Sequence, residues 1–221
     1  MEKYRLTPMQ LDALKEVGNM GASTAATALN RMTGRRVELT VPNIDIVPLE
    51  ELPTFFGGEN ELVTGVFLHM FGKMPGSVML VYQRQDALRL VDLIMGKKDG
   101  STKALADMDL SAFLETGNIM VGNYLTAIGN FFAVRFTPSP PNIIFNVAGV
   151  MVDFIQMSLD QKVTHAIVLS TDFGMTGKKI KGEFVFLVGV RSLEEMLRRL
   201  DQKAPLSSSS APKRKKAKKK G

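Results

Sequence analysis

The 221-residue chain has no cysteine and only two histidines, His69 and His165. Without cysteine there can be no thiol catalysis, disulfide or thiolate-ligated zinc, and a reducing compartment, the cytoplasm, is the simplest setting. Both histidines fall in strand-like runs and read as packed or edge residues. They leave little material for a histidine triad or a multi-histidine metal site. No run of about 18 apolar residues occurs, so no membrane span is expected. Met1-Glu2-Lys3-Tyr4-Arg5 leads into a helix signal and lacks the apolar stretch of a secretory leader. There is no Walker-type phosphate loop or dinucleotide fingerprint, and Gly57-Gly58 reads as loop.

What is present begins with a hydrophobic content of 45%, enough for a proper core. The net charge of +6 is misleading, because residues 213–220 alone hold seven basic side chains and no acid. Subtracting them (+6 − 7) leaves about −1, so no broad basic face for nucleic acid is expected on the folded part. From Ala204 the helical pattern fails, and Ser207–Ser210 with Ala211-Pro212 reads as linker. Residues 204–221 are expected to be a disordered Ser/Lys-rich basic tail.

Two polar constellations stand 99 residues apart. Asp12, Glu16 and Asn19 are followed by Pro42; Ser111, Glu115 and Asn118 are followed by Pro141. Both read D/S-x3-E-x2-N-x22-P, both contain Gly-Asn, and both follow the proline with Asn-Ile. At about 100° per residue, each triplet falls at about 0°, 40° and −20°, a single narrow helical stripe. Taken alone, such a stripe is the solvated face of an amphipathic helix. Repetition at one offset, proline included, argues for a site. A Glu and an Asn can bind and orient but supply no easy nucleophile, which points to chemistry on a partner's phosphate.

The remaining pattern repeats as well. A helix from Thr7-Pro8 to about Met32, ended by Gly34, precedes a strand Val37–Val41 that stops at Pro42. A short helix over 48–55, strands over 61–71 and 76–83, and a helix over 85–95 follow. The second half is expected to open a long helix at Asp109 or Ser111 running to Phe132. After it come a strand Ala133–Thr137, a segment 147–159, strands near 163–171 and 183–190, and a final helix capped by Ser192. The expected architecture is α+β: a pseudo-twofold duplication (about 7–98 and 107–201, within a domain 1–203), a mostly antiparallel sheet and long motif-bearing helices.

These motifs resemble the CheC/CheX/FliY phosphatases of chemotaxis over about residues 7–201. Two complete copies fit a CheC-type protein better than CheX, which has one. Only a short tail follows the second copy, so a free-standing CheC-type unit is expected. The resemblance implies hydrolysis of the phosphoaspartate of the response regulator CheY. Glu16 and Glu115 would engage a lysine of the regulator, and Asn19 and Asn118 would orient the attacking water. Asp12 and Ser111 would support that surface, and Pro42 and Pro141 would shape the loops behind it. No cofactor is implied for this chain, and Mg²⁺ is expected in the regulator. A second implied partner is the deamidase CheD. It would dock on the segment Asn146–Leu159, through residues such as Asn146, Val150 and Phe154. Asn146 stands where CheD-binding relatives are expected to carry an acid, a departure that weighs against CheD, and the apolar residues of this segment read equally well as core.

Two other readings remain. One is a non-enzymatic protein, either an adaptor that binds phosphorylated CheY or a switch component, or a regulator of the CheD deamidase; the intact Glu-x-x-Asn in both halves argues against it. The other gives the tail a role, since seven basic residues can attract nucleic acid or an acidic membrane surface.

Overall fold

The computed structural model describes residues 6–158, 163–175 and 178–203. The expected tail, 204–221, lies outside the described residues. The chain starts with α1 (Pro8–Thr33), capped by Thr7 and Gln10 in a reciprocal box and closed by Gly34 in the left-handed region at φ 66°. Strand β1 (Val37–Pro48), a 3-10 turn (Leu49–Glu51), α2 (Leu52–Phe55), β2 (Leu62–Gly72), β3 (Gly76–Gln83) and α3 (Arg84–Ile94) follow. The second half runs α4 (Asp107–Phe132), β4 (Phe136–Pro138), β5 (Asn142–Val147), α5 (Ala148–Ser158), β6 (His165–Met175), β7 (Lys178–Val188) and α6 (Val190–Lys203). The chain is α+β, as expected, and every strand pairing is antiparallel.

Among the described residues, one seven-stranded sheet runs β1-β6-β7-β3-β2-β4, with β5 also on β2. The halves exchange strands. β1 leaves the first half to pair with β6 of the second, and β4 and β5 pair with β2 of the first. The β3–β7 pair joins the two hairpins at the centre, where the pseudo-twofold axis falls. Neither half holds the complete sheet that covers its own motif helix.

The sheet is buried on both faces. Val78, Leu80 and Tyr82 of β3, with Phe184 and Phe186 of β7, share a core with residues of α1, α3, α4 and α6. The alternate residues Met79, Val81, Val185 and Leu187 face the smaller helices, against Leu52, Met151 and Ile155. Two-sided burial explains why these strands read as continuous apolar runs.

Several expected boundaries move. β1 does not stop at Pro42 but continues to Pro48, with its register against β6 slipping between Thr40 and Asn43. Helix α4 opens at Asp107, and Ser111 lies inside it. There Asp109 accepts a hydrogen bond from the Ala106 N–H (3.2 Å) and pairs with Lys97, a cap made by the third helical residue. Ala133 is not strand but a left-handed cap at φ 53°, and the strand over 142–147 was missed because the proline cluster before it reads as loop. Ser192 is buried inside α6, which opens at Val190.

Candidate functional site

The first constellation is built where α1 meets an irregularity in β1. Leu14, Val17 and Gly18 are buried, while Asp12, Glu16 and Asn19 are exposed on the opposite side. Gly18 seats the helix on the sheet: a Cβ there would lie 3.3 Å from Leu169 and 3.5 Å from Val41. That close approach brings the next residue to the strand, and the Asn19 Oδ1 accepts a hydrogen bond from the Val41 N–H at 3.2 Å. Thr40 registers with Asp172 and Asn43 with Ser170, so Val41 and Pro42 together oppose Thr171 in a β-bulge. From within this bulge Val41 offers its N–H to Asn19, and Pro42 has no N–H to lose. The spacing from Asn19 to Pro42 is the path length from helix to bulge.

The second constellation repeats this frame. α4 is α1 shifted by 99 (8 + 99 = 107; 33 + 99 = 132), and β4 with β5 spans the shifted range of β1 (37 + 99 = 136; 48 + 99 = 147). Ser111 and Glu115 are exposed and Asn118 is half-buried. The Ser111 hydroxyl donates to the Asp107 carbonyl at 3.0 Å, so it is tied to its own helix. Gly117 lies tighter than Gly18: a Cβ there would be 2.5 Å from Val66 Cγ2. Pro141 falls in the break between β4 and β5, where the first half has its bulge. The two motif helices also touch each other, with Gly21 of α1 against the Tyr124 ring of α4.

The arrangement presents carboxylates and carboxamides on helical faces, and the one hydroxyl among the six motif side chains, Ser111, is tied to its own helix. It suits binding and orientation in a partner's site, not self-contained catalysis. Among the described residues, no group of three or more His, Asp or Glu could hold a metal ion. No helix of the described chain is long and apolar enough to cross a membrane.

The profile of the CheC-like family matches residues 9–46 and 108–145, the two stretches that carry the constellations. The CheY-P phosphatase CheC of Bacillus subtilis is 34% identical over 164 residues, covering 73% of this chain and 78% of that protein. The chain belongs to the CheC-like family. The flagellar motor switch phosphatase FliY of B. subtilis is 29% identical over 62% of this chain, a stretch that is 36% of the longer relative. Among solved structures, Thermotoga maritima FliY superposes with a TM-score of 0.71 at 23% identity, covering 90% of this chain and 98% of that one. The middle domain of Helicobacter pylori FliM superposes with a TM-score of 0.60 at 14% identity, over 88% and 99%. These last two likenesses are of fold.

In this CheC-like chain Asn146, Val150 and Phe154 are not brought to the Glu/Asn stripes. They belong to β5 and to α5, which packs on the opposite face of the sheet from α1 and α4. The segment divides the two readings between its own sides. Met151, Val152 and Ile155 are core, whereas Val150 (47%), Phe154 (52%) and Met157 (81%) are exposed at spacings of four and three. Asn146 is exposed and its side-chain oxygen accepts the Val147 N–H at 2.9 Å.

Sequence reasoning did not single out two carboxylates, the half-buried Glu183 and the buried Asp92. Burial pushes Glu183, in the middle of β7, up to about 7; a hydrogen bond from Ser170 opposes that rise and Asp45 adds to it. Its Oε2 is buried without a hydrogen-bond partner. Burial would also raise Asp92, but hydrogen bonds from Thr102 and Ser101 outweigh it and hold the carboxyl below the usual range. Four such bonds, from the N–H and hydroxyl of Ser101 and Thr102, fasten the α3–α4 connection at 2.6–3.1 Å. The backbone N–H of Val41 was missed too, since a donor freed by a bulge leaves no mark in side-chain sequence.

Proposed function

We propose that this protein is a cytoplasmic phosphatase of the phosphoaspartate of a CheY-type response regulator, acting in trans through Glu16/Asn19 and Glu115/Asn118. The observation that carries the reading is the pair of exposed Glu/Asn stripes, each beside a matched irregularity in the sheet. Two curated relatives bear names that state CheY-P or motor-switch phosphatase activity, which supports it.

Phosphoryl transfer passes through a loose transition state, so positioning and charge neutralisation supply most of the catalysis. The regulator provides its own Mg²⁺ and lysine. Glu16 or Glu115 pairs with that lysine and sets the register of docking. The carboxamide of Asn19 or Asn118 then enters beside the phosphoryl group. An amide both donates and accepts, so it holds a water in line without needing to deprotonate it. Asp12 and Ser111 support the docking face, and Pro42 and Pro141 shape the backbone behind each amide.

The test is multiple-turnover loss of phosphoaspartate from phosphorylated CheY with Mg²⁺ and substoichiometric protein. Asn19→Ala and Asn118→Ala each lower turnover, at the affected site by about 10²-fold on the scale of a misplaced reactant. The double variant abolishes it. Full activity in the double variant would overturn the mechanism. Binding without accelerated decay would favour the adaptor reading.

One observation supports a second role. The exposed stripe Val150, Phe154 and Met157 on α5 suits an apolar partner away from the phosphatase face, and CheD is the partner proposed for it.

A further inference from the structure

The two sites share a frame but differ at one backbone group. In the first, the Val41 N–H holds the Asn19 Oδ1 at 3.2 Å. Shifted by 99, Val41 becomes Pro140 (41 + 99 = 140), which has no N–H to donate. The helix, the strand and the strand irregularity all obey the same shift, so Pro140 occupies the position of the missing donor. The Asn118 carboxamide, though half-buried, makes no hydrogen bond to any described residue.

We propose that the Val41 N–H is a positioning group that presets the Asn19 carboxamide, and that Pro140 denies Asn118 the same hold, making the two sites unequal. This rests on the phosphatase reading for its kinetic consequence, though not for its structural one. An amide oxygen has two lone pairs, so one bond to Val41 leaves one free for water. The same bond fixes the side-chain plane and turns Nδ2 outward, toward a phosphoryl oxygen. At Asn118 the side chain must be ordered after docking, each time the reacting geometry is reached, at an entropic cost that Asn19 has already met in the free protein. Asn19→Ala therefore removes the larger share of turnover.

Asn19 also has a duty that Asn118 lacks. It accepts from the backbone N–H of buried Val41 in the bulge, and loss of such a partner is destabilising. Asn19→Ala lowers Tm by about 2–6 °C, while Asn118→Ala leaves it nearly unchanged, because Pro140 presents no donor to strand.

The deciding experiment uses the full chain. Side-chain amide relaxation by NMR in the unmodified protein shows an ordered Asn19 NH₂ and a mobile Asn118 NH₂. Pro140→Ala, at an exposed position, restores an N–H and orders Asn118. In the Asn19→Ala background, where the second site works alone, Pro140→Ala raises kcat on phosphorylated CheY with Mg²⁺ by about two- to tenfold with little change in KM. Equal order at Asn19 and Asn118 in the unmodified protein would overturn the inference. So would a folded Pro140→Ala variant with neither a more ordered Asn118 nor faster turnover. If the unmodified protein does not accelerate decay at all, the phosphatase reading fails, and the relaxation measurements still decide the anchoring.

Discussion

Gly18 and Gly117 occupy matched positions in the two motif helices, yet alanine should have opposite effects at them. In a helix interior the exchange gains about 0.8–1.0 kcal/mol from propensity alone. At Gly18 the new methyl would meet the tip of Leu169 at 3.3 Å and Val41 at 3.5 and 3.6 Å. A leucine tip can yield by a few tenths of an ångström, so most of the gain survives and the variant is neutral or up to about 1 kcal/mol more stable. At Gly117 the methyl would lie 2.5, 2.9 and 3.1 Å from the Cγ2, Cβ and Cγ1 of Val66. Carbon atoms prefer about 3.5–4.0 Å, so α4 would have to lift by about 1 Å. Val66 cannot yield: it is fully buried and β-branched, on a strand paired on one side with Leu80 and on the other with Ile143. Overpacking costs about 1–3 kcal/mol, which leaves Gly117→Ala about 0–2 kcal/mol less stable once the propensity gain is subtracted. Urea unfolding at constant m-value measures both. Val66→Ala opens space for the new methyl, so the double variant should exceed the additive expectation by about 1–3 kcal/mol. Equal effects at Gly18 and Gly117, or strict additivity with Val66→Ala, would refute the close-approach account.

Three further outcomes follow from Glu183, Asp92 and the exposed face of α5. Glu183 titrates near 7 in the folded chain against 4.5 in its ordinary state, so the native state binds more protons between those values. Stability then falls as pH rises from about 4.5 to 7, by at most about 3 kcal/mol, and Glu183→Gln flattens that slope in pH-dependent urea melts. Asp92 has the opposite sign: its stabilising contribution holds above the usual carboxylate range and is lost as pH falls through its lowered value. Asp92→Ala strands the Ser101 and Thr102 donors, costs about 1–3 kcal/mol, and should speed amide exchange over residues 97–106. Phe154→Lys, on the exposed side of α5, should abolish capture of CheD in a pull-down while leaving CheY-P decay unchanged. Unaltered capture would remove α5 as the docking surface.

The repeat, the motif stripes and the α+β class are legible in the residues because they rest on local rules. Thr7-Pro8 and Gly34 mark α1 by capping chemistry, and the spacing of Glu16 to Asn19 places both on one face by helical geometry. The failures fall where a distant partner decides. Pro42 reads as a strand end because proline cannot join a ladder, yet β6 pairs on both sides of it through a bulge. Asp109 reads as an opening residue, whereas it caps from inside, fixed by Lys97 on the preceding connection. On α5, helical periodicity alone does not tell core from docking face; the second core layer takes Met151 and Ile155 and leaves Phe154 outside.

The sequence by itself determined that two like motifs exist, since matching side chains at one offset are countable without coordinates. Tertiary structure decided how they are held. Exchange of β1 and β5 between the halves, the bulge at Val41-Pro42 and the donor that reaches Asn19 all depend on strand pairing between residues far apart in the chain. A backbone N–H is nearly the same at every residue, so which one is left free, and for whom, is set by register and not by composition.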